Sequence, residues 1–358
     1  MNRRTRVLVE MVRRLPRPNP PSPRYLARIR RELPLPLARM VLGRVAPEVT
    51  ISEIRIPTAD VALRVRIYRN SGERSAEPRP LVVNFHGGGF VIGNLTAADW
   101  LCGNVAARTH AVVASVEYRL APEYPAPVPF LDSWAATQWL VERAAELGTD
   151  RERVTVMGES AGGNLAALVA LQWRDRHRAD PSWPKLGRQI LIYPATDLTL
   201  SSPSVADLTE APMLGRTQLD WYGRCYLPQG LPSSIGYDDP RVSPLFASDH
   251  RDLAPALIIA AGLDPLRDDA TRYADALKQA AVPTQLVIYP EAIHGFLSLP
   301  MFEPAAREAL RVIVTELGAA EEEDRAITAN QLGSGRHPDA LGLIAGRGRD
   351  RKGGRQGG

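Results

Sequence analysis

The sequence predicts an α/β fold: a mostly parallel central sheet with helices on both faces and a small cap. Three observations carry this. Short apolar runs recur along the chain, and a stretch with helical patterning follows most of them. The chain has 358 residues, 44% hydrophobic and 23% charged, which is enough for one sizeable core. Residues 198–253 break the alternation with scattered Pro, Gly and aromatic residues, as an insertion that caps a site would.

Residues 1–47 read as an N-terminal cap segment. Leu8, Met11, Val12 and Leu15 fall at i, i+3, i+4, i+7 and form one apolar helical stripe among arginines. Such a helix either covers the protein's own body or lies on a membrane surface. Seven prolines in residues 16–36 limit that stretch to extended chain and short helices. Ile51, Ile54 and Ile56, then Val61, Leu63, Val65 and Ile67, predict two strands joined by a short turn, the antiparallel edge of the sheet. A polar, Pro-rich loop spans residues 69–80.

The runs at 81–85, 112–117, 154–157, 189–193, 256–261 and 285–289 read as buried parallel strands. Helices are expected at 96–109, 131–147, 161–176, 266–280 and 303–317. The α/β domain is thus 48–320, with the cap insertion at about 198–253. Residues 333–358 contain nine glycines and few large apolar groups, and the whole of 321–358 is expected to be a disordered tail.

Charge is divided unevenly. Residues 1–47 hold 12 arginines against two acids, and residues 333–358 hold six bases against two acids. With +4 overall, residues 48–332 carry net −10. An acidic body argues against a nucleic-acid partner, which would place positive charge on a folded face. Cys102 and Cys225 are the only cysteines, so neither a disulfide framework nor a Cys-based zinc site organises the chain. Glu10, Arg13 and Arg14 cut short the apolar run that an export signal needs, which makes the expected location cytoplasmic.

The chemistry starts at Gly158-Glu159-Ser160-Ala161-Gly162-Gly163. It fits G-x-S-x-G between a strand and a helix, the setting in which a tight turn exposes a nucleophilic serine. The turn aims the backbone N–H of Ala161 at a developing oxyanion. His86-Gly87-Gly88-Gly89-Phe90 directly follows the strand at 81–85, and its glycines let backbone N–H groups point into a cavity. A phosphate loop would need G-x-G-x-x-G or a terminal G-K-[ST], and neither is present.

A base and an orienting acid must follow. Of the six histidines, His294 lies just beyond the last strand, where α/β sheets place catalytic groups. His86 belongs to the glycine motif and reads as structural. Asp264 follows the strand at 256–261 and can hold the His tautomer. Its rivals are Asp268 and Asp269, inside the next helix, and Glu291, on the histidine's own loop.

H-G-G-G-F, then Tyr118-Arg119-Leu120-Ala121-Pro122-Glu123, G-E-S-A-G-G, G-x-D-P-L-x-D and H-G-F appear in that order over about 50–317. Together they resemble the hormone-sensitive lipase family of α/β-hydrolase esterases. The resemblance implies the α/β-hydrolase fold, with Ser160 as nucleophile, His294 as base and Asp264 as its partner. It implies backbone donors at Gly87, Gly88 and Ala161, and a cap built from the N-terminal segment and residues 198–253. It also implies hydrolysis of short- to medium-chain acyl esters.

The expected function is therefore carboxylic-ester hydrolysis through an acyl-enzyme, with no cofactor and no metal. An amidase, deacetylase or formamidase would use the same triad. A non-catalytic hormone receptor of the same family would lack the histidine retained at His294. The expected partners are a small-molecule ester, a second copy of the chain in a homodimer, and weak membrane-surface contact through the N-terminus.

Overall fold

A computed structural model describes residues 10, 21–58, 60–72, 77–228 and 235–333. The chain divides into two compact units, Met1–Leu317 and Gly318–Gly358. In the first, eight strands form one sheet in the order β1-β2-β4-β3-β5-β6-β7-β8. They are β1 (Val49–Pro57), β2 (Ala62–Asn70), β3 (Arg79–Phe85), β4 (Val112–Val116), β5 (Thr149–Glu159), β6 (Arg188–Ile192), β7 (Ala256–Leu263) and β8 (Thr284–Ile293). β1 pairs antiparallel with β2, and β2 with β4; β3 through β8 are parallel to their neighbours.

The central strands are apolar on both faces because both faces are covered. Along β7, Ala256, Ile258 and Ala260 enter one core while Leu257, Ile259 and Ala261 enter the other. The first core packs under α4 (Val128–Glu142), α5 (Ala161–Ala179) and α8 (Arg267–Gln279). The second packs under α3 (Leu95–Arg108) and the start of α9 (Pro304–Gly333), through Trp100, Leu101, Val105, Leu310 and Ile313. The edge strand β8 alternates between half-buried and exposed residues over most of its length.

The described N-terminal residues form α1 (Pro23–Ile29) and α2 (Leu35–Val41), the short helices expected of a proline-rich stretch. The stripe Leu8, Met11, Val12 and Leu15 lies outside the described residues. The insertion holds α6 (Pro203–Asp207) and α7 (Arg216–Tyr226), and its Val205, Leu214 and Leu219 form a small separate core with Ala195 and Leu266 of the body. In the second unit, residues 318–333 are helical, so helix extends past 321, where the disordered tail was expected to begin. Residues 334–358 lie outside the described residues. No described helix is long and apolar enough to cross a membrane.

Candidate active site

The sheet register brings three strand ends together. Glu159 of β5 pairs with Ile192 of β6, and the residue that follows β5 is Ser160. Leu263 of β7 pairs with Ile293 of β8, so the residues that follow, Asp264 and His294, emerge side by side. That pairing depends on a register shift after Ala261. Gly262 sits in the shift, where a Cβ would lie 2.2 Å from the Pro290 carbonyl oxygen. The sequence ends β8 at 289; the structure continues it to Ile293, and those added residues deliver the histidine.

Ser160 has φ 57° and ψ −120°, a conformation that costs a non-glycine residue roughly 1–3 kcal/mol. Its surroundings hold it there. The Ser160 N–H donates to the Ile192 carbonyl at 2.8 Å. A Cβ on Gly162 would meet the Phe85 carbonyl oxygen at 2.0 Å, so the first turn of α5 can approach β3 only without one.

His294 Nε2 lies 2.9 Å from Ser160 Oγ, and its Nδ1 lies 2.7 Å from Asp264 Oδ2. Asp264 is fully buried, and its other oxygen accepts the Leu266 N–H at 2.8 Å. A carboxylate so placed accepts Nδ1–H and leaves Nε2 free to take a proton from the serine. The rival acids go elsewhere. Asp268 pairs with Arg267, buried Asp269 accepts the N–H groups of Thr196 and Asp197, and Glu291 is exposed.

The glycine loop lies alongside. Gly87 packs against Glu159 and Ser160. His86 is buried with its ring stacked on Tyr118 at 4.3 Å, and its Nδ1–H donates to the Gly87 carbonyl at 2.8 Å. Tyr118 Oη donates to the His86 carbonyl at 2.6 Å. Burial pushes the His86 imidazole down to about 4, so it is neutral near pH 7 and braces the loop. Arg30, from beyond α1, grips the far end of the loop: Nε donates to the Val91 carbonyl at 2.8 Å and one NH2 to the Ala121 carbonyl at 2.6 Å.

Above the three residues is a cavity of about 680 Å³. The sheet side supplies Gly87, Gly88, Ser160, Ala161 and His294; the insertion supplies Met213, Leu214, Leu219 and Tyr222. Tyr222 lies over Gly89, and Tyr226 stacks on Phe90 at 3.9 Å. None of the described residues before 48 lines the cavity. Among the described residues no group of His, Cys, Asp and Glu is placed to hold a metal ion.

Sequence reasoning missed three neighbours. Glu159 is buried beside Ser160, and it accepts hydrogen bonds from Tyr193 Oη at 2.5 Å and Ser298 Oγ at 2.7 Å. Tyr193 lies with its ring centroid 5.0 Å from that of His294. The signal for Glu159 was present: an acid two residues past the apolar run 154–157, directly before the motif serine.

A family model described as the alpha/beta hydrolase fold matches residues 82–298. The carboxylesterase NlhH of Mycobacterium tuberculosis is 39% identical over 278 residues, 76% of this chain and 84% of that one. An ethyl acetate hydrolase of Pseudomonas putida is 35% identical over 281 residues, 78% and 85% of the two chains. The structure of a hyperthermophilic esterase from Pyrobaculum calidifontis superposes with a TM-score of 0.74 at 34% identity, covering 87% of this chain and 97% of that one.

Proposed function

Because the chain belongs to the hormone-sensitive-lipase-like family of α/β-hydrolases and is a carboxylic-ester hydrolase, we propose that it cleaves short- to medium-chain acyl esters through Ser160, His294 and Asp264. Ser160 Oγ attacks the ester carbonyl as His294 Nε2 takes its proton. The backbone N–H groups of Gly87, Gly88 and Ala161 hold the oxyanion. The tetrahedral intermediate collapses, the alcohol leaves with the proton from His294, and an acyl-enzyme remains. Water attacks this ester with His294 again as base, and the acid departs. Asp264 holds the imidazole in the productive tautomer and offsets the charge it gains.

One observation carries the reading: the unbroken chain from Ser160 Oγ to His294 at 2.9 Å and on to Asp264 at 2.7 Å, at the floor of the cavity. The substrate class rests on the cavity's lining. Leu198, Leu200, Met213, Leu214 and Leu219 offer an apolar wall to an acyl or alkoxy group. The name of the Pseudomonas putida relative points to small esters as well. The insertion 198–253 supplies the cap residues named above in this reading.

The test is kcat/KM on p-nitrophenyl esters from acetate to palmitate beside matching anilides. The expected profile peaks at short to medium acyl length, with anilides far slower. Faster anilides would replace the esterase reading of the natural substrate with an amidase one, and a palmitate optimum would overturn the chain-length reading.

A further inference from the structure

We propose that Glu159 is a positioning residue for His294: its buried carboxylate ties the turn that carries Ser160 to the turn that follows His294, and it supports the imidazolium formed during turnover. The inference rests on the reading of Ser160 and His294 given above.

Glu159 is the residue before Ser160, at the end of β5. Ser298, whose hydroxyl it accepts at 2.7 Å, closes the short 3-10 turn Phe296–Ser298, just beyond His294. One side chain therefore spans the two segments whose spacing sets the 2.9 Å contact between Ser160 and His294. The second oxygen accepts Tyr193 Oη at 2.5 Å, and the ring of Tyr193 packs against both His294 and Phe296. Each oxygen has a hydroxyl donor, which a carboxylate can use and a carboxylic acid can use only in part.

Packing alone does not account for an acid here. Burying a carboxylate is costly unless its oxygens are bonded, and an apolar side chain would fill the space without that cost. Burial raises the Glu159 carboxyl, while the two hydroxyls and the charge on His294 pull it back. The other titratable groups around it, Tyr193, Tyr118 and Cys102, are pushed up by burial and stay neutral. From the cap side Asp197, Arg216, Asp220 and Arg224 line the same cavity, with Asp197 paired to Arg272 and Arg216 to Asp220. Beneath the imidazole, then, Asp264 and Glu159 are the two carboxylates that favour its charged form.

The test measures kcat and KM on p-nitrophenyl acetate against pH for the parent, E159Q and S298A, with melting curves. E159Q removes the charge. KM should stay within about twofold, and kcat should fall by about tenfold or more. The acid limb of kcat/KM should move down by about one pH unit, because losing a nearby negative charge makes the imidazolium less favourable. S298A keeps the charge and loosens the tie: kcat falls less and the limb stays in place. A parent-like kcat and an unmoved limb in E159Q would overturn the proposal. If E159Q does not fold, S298A and Y193F decide, since parent kcat and parent phosphonate-labelling rates in both would overturn it. Failure of the triad reading looks different: S160A would then retain activity whatever the Glu159 variants do.

Discussion

At the carboxyl ends of β5, β7 and β8, Ser160, Asp264 and His294 each follow a residue whose partner strand fixes it in register, whereas the cap residues that face them are tied down by side chains. The cap meets the body through the Asn164 amide, which donates to the Val242 carbonyl, through Asp269, which accepts from the Ser202 hydroxyl, and through the Ser204 hydroxyl, which donates to the Pro265 carbonyl. A sheet end set by many ladder bonds gives fixed reacting geometry. A cap set by a few buried polar ties gives a replaceable wall. Changes at the sheet end should therefore lower turnover for every ester alike, and changes in the cap should alter which ester is preferred.

The largest effect is expected at Ser160. Ser160→Ala should cut kcat by roughly 10⁴-fold or more on all acyl lengths, because the triad acts as a unit. A purified variant that keeps a tenth of the activity would contradict that role. Asp264→Asn should follow, with a loss of roughly 10³–10⁴-fold, because the amide favours the wrong imidazole tautomer. A Glu291→Gln variant should be near the parent, since Glu291 is exposed. If Glu291→Gln costs more than Asp264→Asn, the orienting acid is misassigned.

The glycine loop adds a pH dependence. His86 is neutral in the folded protein, with its pKa pushed down to about 4, against about 6.5 when unfolded. The folded value is depressed, so its contribution to stability is fully present above about pH 6.5 and is lost as pH falls through about 4. Over that window the folded state loses about 3 kcal/mol on this group's account. Urea unfolding at pH 7 and pH 4.5 should show a smaller difference in His86→Gln than in the parent. An equal difference in both would mean that His86 does not carry it.

Smaller effects belong to the cap. Tyr222 forms part of the cavity wall over Gly89. Tyr222→Ala should change KM for butyrate and hexanoate esters several-fold, at about 0.8 kcal/mol per methylene no longer buried, and leave acetate nearly untouched. A uniform loss on all esters would blur the contrast between wall and floor.

Much of the floor was legible because its signals are local. Gly158 to Gly163 sit between an apolar strand and a helix, and His86 to Phe90 follow directly on another strand. The strands were legible too: the central ones because burial on both faces demands uninterrupted apolar runs, and β1 and β2 through their spaced apolar residues. What the sequence did not disclose is long-range. The extension of β8 to Ile293 depends on a register shift opposite Gly262, and no local pattern marks it. Glu159 reads as a filler position in the motif until Ser298 and Tyr193 arrive from 139 and 34 residues away. From the described part of the N-terminal segment Arg30 reaches the glycine loop, through the Val91 and Ala121 carbonyls, a contact that periodicity cannot reveal.

The most direct measurement is active-site labelling with a serine-directed alkyl phosphonate, mapped by peptide mass spectrometry. The expected result is one phosphonyl group per chain, on Ser160, added in step with the loss of esterase activity. Labelling of Asp264→Asn should be slowed about as much as its turnover. Full inactivation with the phosphonate on another residue, or an active enzyme whose Ser160 is already modified, would contradict the assignment of the strand-end serine as the nucleophile.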